Sequence, residues 1–245
     1  MARTGWGTSN FLRYSGAVIS AYPCSLAIWF YTTTAALNKL LGVYDSSVLA
    51  NNGQISIGIN GTSNVSARSG QTSGSNVADS TTTYSLNTWQ HAGGVFASST
   101  SRAAYLNGGG KGTNASAINF PSANRTSMGL RDNGSGDQGF DASGRLAEGA
   151  AWNVALTDTD MAKLATGISP LFVRPEGLVA YWPIIGVYGP EIDLRGRQEM
   201  TITGSLTQAA HPWIYMPHRR QPAKLSYVAP VATVTRELML MGMGS

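Results

Sequence analysis

Apolar and polar residues alternate in short runs along most of the chain, and clusters of Gly, Ser, Asn and Asp separate the runs. This is the pattern of a β-sandwich or barrel, whose strands each turn one face to a core and end at a tight connection. From Ser25 to Tyr31 the run is almost continuously apolar, with Leu26, Ile28 and Phe30 on one face and Trp29 and Tyr31 on the other. It predicts a central strand covered on both sides. Gln54 to Asn60 alternates cleanly, so Ile55, Ile57 and Ile59 face inward, Ser56 and Gly58 face outward, and the strand covers the core with one face only. Between Gly61 and Thr83, Ser, Gly, Asn and Thr dominate, which predicts a long loop with one polar edge strand. Trp89 to Phe96 and Arg102 to Leu106 form a hairpin, followed by a turn at Asn107-Gly-Gly-Gly110. Leu146 to Trp152, Leu178 to Ile184 and Met200 to Thr203 add three strands.

One helix is signalled. Thr157 and Asp160 have capping-box spacing, Leu156 and Met161 are placed as a hydrophobic staple, and Gly167 stops a helix that begins at Asp158 and runs to Thr166. After Pro212 the chain becomes proline-punctuated and basic, and Ser226 to Ser245 is an apolar, Met-rich tail.

Composition narrows the function classes. The chain has 245 residues, enough for one large sandwich. Its charged share of 12% is half the typical value of about 25%, so the surface is built largely from Ser, Thr, Asn and Gly. A hydrophobic share of 42% with six Trp excludes a disordered chain. The net charge of +4 is spread thinly and does not favour nucleic acid. Cys24 is the only cysteine, so the fold rests on packing without an internal disulfide. The first ten residues show no apolar signal region, and no apolar run is long enough to span a membrane.

The segment Leu86-Asn-Thr-Trp-Gln-His-Ala-Gly-Gly-Val-Phe96, followed by Arg102-Ala-Ala-Tyr-Leu-Asn-Gly-Gly109, resembles the laminin G-like, concanavalin A-like jelly-roll family. The resemblance continues through Met128-Gly129, through Phe140 to Asp158 with its Glu148 and Trp152-Asn-Val-Ala-Leu-Thr, and through Gly177 to Pro183. It covers roughly residues 10 to 210 and implies an all-β, two-sheet antiparallel sandwich with one short helix. Trp89, Trp152 and Trp182 lie in strand patterns where large rings fill the space between sheets. The family's domains bind carbohydrate, protein or calcium, and the fold does not choose among them. The segment Leu171-Phe-Val-Arg-Pro-Glu-Gly-Leu-Val-Ala-Tyr-Trp-Pro183, with the Gly- and Ser-rich low-charge body, also resembles jelly-roll domains of tailed-bacteriophage virion proteins.

The candidate chemistry is sparse. Glycoside hydrolysis needs two carboxylates about 5 to 9.5 Å apart. Glu148 stands alone on its strand and Glu176 lies in a loop, so no catalytic residue is assigned. Glu148 is expected to pair with Arg145 or Arg102, and His91 to be a structural residue of the sheet. Asp132 to Asp141, joined by Asp45, is the candidate calcium loop, although its residues fit a plain turn-rich loop better. Neither a metal nor a cofactor is assigned. Trp213, Tyr215, His218, Arg219 and Arg220 mix aromatic and basic residues as single-strand nucleic-acid binders do, but docking against the sandwich or a neighbouring subunit is expected instead.

These readings divide the chain into a sandwich over residues 1–215 and an extended assembly arm over 216–245. They point to a non-enzymatic structural protein on the outer surface of a bacteriophage particle, assembled in the host cytoplasm. Its arm would anchor it to a major capsid protein or to copies of itself in a homo-oligomer, with no nucleic-acid or membrane partner. The alternative is a carbohydrate-binding lectin-like module, holding a glycan in the loops Gly61–Thr83 and Leu130–Asp141, or a tail-fibre protein. A glycoside hydrolase ranks third.

Overall fold

The computed structural model describes residues 1–48, 53–71, 74–133, 138–186 and 188–216. In chain order the strands of the first half are β1 (Ala2–Thr4), β2 (Phe11–Tyr14), β3 (Cys24–Tyr31), β4 (Asn38–Tyr44), β5 (Gln54–Ile59), β6 (Val65–Gln71) and β7 (Gly74–Asp79). Then come β8 (Trp89–Ser98), β9 (Ser101–Leu106), β10 (Gly109–Asn114), β11 (Arg125–Met128), β12 (Arg145–Trp152), the helix α1 (Asp158–Ala165), β13 (Leu178–Trp182), β14 (Thr201–Thr203) and β15 (Thr207–Ala209). They form two antiparallel sheets. The first has the order β10-β9-β8-β3-β12-β1-β15, with β13 also paired to β12, and the second β14-β2-β11-β4-β5-β6-β7.

The sheets bury one shared core. Leu26, Ile28 and Phe30 of β3 meet Leu41 and Val43 of β4 and Ile55, Ile57 and Ile59 of β5 between the layers, with Trp6 and Trp182 filling the space around them. Tight approaches close the sandwich. A side chain at Gly112 of β10 would place its Cβ 1.7 Å from the Asp79 carbonyl of β7, so two edge strands of different sheets meet there only because the residue is Gly.

The outer face of the first sheet carries a second apolar cluster. Ala27, Val95, Tyr105, Ala150 and Trp152 are covered by Leu156, Met161, Leu164 and Val173. The helix that does the covering has its predicted capping box between Thr157 and Asp160, and Gly167 follows it at φ +87°. Met161 sits over Gly93, where a Cβ would come within 2.6 Å of its sulfur.

Several expectations change. The stretch predicted as a loop with one edge strand holds two paired strands, β6 and β7, whose small inward residues Ala67 and Ala78 belong to the core. Strand β5 is buried on both faces, because the outward Gln54 and Ser56 are covered as well as the isoleucines. In β3 the reverse holds. Trp29 and Tyr31, expected under cover, are half-exposed. The tail from 217 onward, and with it His218, Arg219 and Arg220, lies outside the described residues.

Candidate functional site

The outer face of the first sheet is covered by α1 on one side only. Beyond the helix the cross-strand rows are Arg145–Tyr31–Trp89 and Ala147–Trp29–His91. The Arg145 guanidinium lies 4.4 Å from the Tyr31 ring centroid, and Tyr31 meets the Trp89 ring edge-on at 6.1 Å. Trp29 packs against His91 in the same way at 5.6 Å. Arg145 therefore stacks on Tyr31 rather than pairing with Glu148 as expected. Arg102 is also elsewhere, bonded to Asn114 Oδ1 at 2.6 Å and to the Ser116 carbonyl at 2.7 Å. His91 is buried and burial pushes its pKa down to about 3, so the ring is neutral and structural, as its sequence context suggests.

Glu148 lies at a β-bulge in β12 with φ +59°, a backbone region that non-glycine residues seldom adopt. Its carboxylate accepts from the Tyr181 hydroxyl at 2.6 Å and pairs with His211 Nε2 at 3.2 Å. His211 also reaches the carbonyls of Pro212 at 2.8 Å and Pro183 at 3.2 Å. Burial opposes its positive charge, but Glu148 and the two carbonyls outweigh burial and raise its pKa. Residues 211–215 thereby cross the outer face from the bulge to the end of α1, where Tyr215 bonds through its amide to the Gly167 carbonyl at 2.7 Å.

This crossing segment presents its aromatic side chains to solvent. Trp213 is 74% exposed and Tyr215 46%, with ring centroids 6.0 Å apart and planes 23° from parallel. The sequence predicts that this segment docks against the sandwich or a neighbouring subunit, and against the sandwich its rings do not dock. It is the backbone of Trp213 that packs, against Gly167, and the rings that stay open.

The outer face of the second sheet is polar. Asp132 is buried and held by Arg13 at 2.5 and 2.6 Å and by Arg125 at 3.2 Å. Asp141 accepts from Thr33 N at 2.6 Å and from the Thr32, Thr33 and Ser143 groups around it. Asp45 accepts from Ser47 N and Oγ. Asp132, Asp141 and Asp45 are thus engaged by separate protein donors, Asp137 of the candidate calcium loop lies outside the described residues, and no group of three metal-ligating side chains occurs among the described residues.

A shallow cleft of about 530 Å³ opens at the sheet edges, lined by Arg3, Tyr188, Pro190, Thr201, Ile202 and Ser205. Neither it nor three smaller clefts among the described residues is lined by two carboxylates.

No curated protein matches the chain. Among solved structures, a putative carbohydrate binding protein from Bacteroides ovatus is similar over 86% of this chain and 61% of its own, at 15% identity and a TM-score of 0.59. A heptameric SAP-like pentraxin from Limulus polyphemus is similar over 67% of this chain and 81% of its own, at 15% identity and 0.50. The CBM40 module of a Ruminococcus gnavus sialidase, solved with α2,3 sialyllactose, is similar over 66% of this chain and 97% of its own, at 12% identity and 0.50. At such identities the likeness is one of fold. The sequence profile of the concanavalin A-like lectin/glucanases superfamily matches residues 7–162, more than half of the sequence, and the chain belongs to that superfamily.

Proposed function

We propose that the chain is a non-catalytic carbohydrate-binding domain that stacks sugar rings on the aromatic surface of its first sheet. The Trp213–Tyr215 stack carries this reading, because two large rings lie open and nearly parallel on a face that also bears Trp29, Tyr31 and Trp89. Exposed apolar patches of this kind mark binding surfaces. A flat aromatic face suits the C–H face of a sugar ring, through many small dispersion contacts, while Arg145 and Asn87 at the margin offer hydrogen bonds to hydroxyls. The fold it shares with a putative carbohydrate binding protein and with a module solved with a sialylated glycan supports the reading. The lack of paired carboxylates in the described clefts supports a binding role over hydrolysis. Titration of the full chain with an oligosaccharide panel, wild type beside Trp213→Ala, tests it.

A second reading, assembly on a bacteriophage particle, draws on the exposure of Trp213, Tyr215 and Met216 just ahead of an apolar tail. Such a row also suits contact with another protein chain. The solution mass of the full chain discriminates: a defined oligomer that dissociates in the Trp213→Ala/Tyr215→Ala variant favours assembly, and a monomer that binds glycan favours the carbohydrate reading.

A further inference from the structure

The outer face of the second sheet, opposite the aromatic surface, contains a buried lysine with no carboxylate partner among the described residues. Lys39 on β4 is 3% exposed and makes no hydrogen bond or ion pair with any described residue. It lies across from Gly58 of β5, which in turn lies across from Ser66 of β6, two positions from Arg68 on the same outer face. Gly58 places no side chain between them. Arg68 is half-buried, donates from Nη1 to Ser75 Oγ at 2.9 Å, and has a buried Nε with no acceptor.

Among the described residues, no carboxylate forms an ion pair with Lys39 or Arg68. Burial, and after it the like charges of Arg68 and Arg131, lower the Lys39 pKa well below the usual lysine range. Asp132 is held by Arg13 and Arg125. Asp79 lies near Arg68, but it is exposed and accepts from Ser66 Oγ and Asn60 Nδ2. An ion taken out of water without a partner is strongly unfavourable, and a well-packed apolar residue of the same shape is commonly more stable in its place. Retaining a lysine here fits a site that an external anion completes.

We propose that Lys39 and Arg68 form a binding site for an oxyanion, a carboxylate or sulfate group, on the outer face of the second sheet. Arg68 and Ser75, both partly exposed, form the solvent-facing side, and Lys39 forms the floor. The occupant is therefore a small charged group, either free or projecting from a larger molecule such as an acidic sugar. The Lys39 amino group and the Arg68 guanidinium supply donors for the two oxygens of a carboxylate or two of those of a sulfate, and an anion bound there favours the charged form of Lys39.

The test is calorimetric titration of the full chain with sodium glucuronate, sodium sulfate and uncharged glucose, on wild type, Lys39→Met and Arg68→Gln. Saturable binding of an anion, weakened at least tenfold in both variants while Lys39→Met melts at a higher temperature than wild type, is the expected result. Tighter binding of glucuronate than of sulfate assigns the site to an acidic sugar, and binding of sulfate alone assigns it to a free oxyanion. If neither anion binds, or both variants bind as wild type does, the proposal is overturned. The aromatic surface lies on the other sheet, so neutral-glycan binding in Lys39→Met stays at the wild-type level and the two sites stand or fall separately.

Discussion

The Tyr181 hydroxyl donates to Glu148 Oε2 at 2.6 Å, while His211 holds the other carboxylate oxygen, so a residue of β13 and a residue of the last described segment meet on a strained position of β12. This pairing ties residues 211–215 to the sandwich and presents Trp213 and Tyr215 on the surface.

Removal of the tie has a pH signature. His211 has a raised pKa in the folded chain, so its contribution is fully present below the ordinary histidine value and is lost as pH rises through the raised one. The His211 ring, followed by NMR, is expected to titrate above about 6.5 in wild type and to fall toward that value in Glu148→Gln. Tyr181→Phe, which removes a donor from a buried carboxylate, is expected to lower stability by about 1.5 to 3 kcal/mol in urea unfolding.

His91 predicts the opposite dependence. Its folded pKa lies near 3, well below its unfolded value, so the unfolded chain binds the proton more readily and stability falls with acidification from about pH 6.5 downward. The full effect, reached near pH 3, is about 3 to 5 kcal/mol. Unfolding at pH 7 and pH 4 measures it. His91→Gln is expected to show a shallower acid loss than wild type, and an equal loss in both would remove His91 as its source.

The loop containing Asp132 is expected to be indifferent to calcium. Asp132 is held by two arginines and Asp141 by Thr32, Thr33 and Ser143, so a chelator is expected to leave the melting temperature unchanged. Asp132→Ala leaves Arg13 and Arg125 without their partner, and both are partly exposed, so the expected loss is about 1 to 3 kcal/mol. A melting temperature that rises with added calcium in wild type and not in Asp132→Ala would restore the metal reading.

The fold was legible where one period ran unbroken. The alternating isoleucines of β5, the apolar run of β3 and the capping box of α1 each mark an element that the structure contains. Strand β4 was not predicted. A bulge between Lys39 and Leu41 turns both Leu40 and Leu41 inward and breaks the alternation. Strands β6 and β7 read as loop because their inward residues, Val65, Ala67 and Ala78, are few and mostly small. Site residues were less legible, because their partners are distant in sequence. Glu148 meets Tyr181, 33 residues away, rather than the neighbouring Arg145. The Trp213–Tyr215 stack had a local signal, two rings at i and i+2 in an extended segment, but whether they face the sandwich or solvent depends on the packing of Gly167 under Trp213.

The most direct measurement of the central claim is tryptophan fluorescence of the full chain during titration with a panel of neutral and acidic oligosaccharides, with Trp213→Ala beside it. Carbohydrate binding through the aromatic surface predicts a saturable change with at least one glycan, weakened tenfold or more by Trp213→Ala in a chain whose melting temperature is unaltered, as expected for a side chain 74% exposed. No response to any glycan, or a saturable response of equal affinity in the variant, would contradict it.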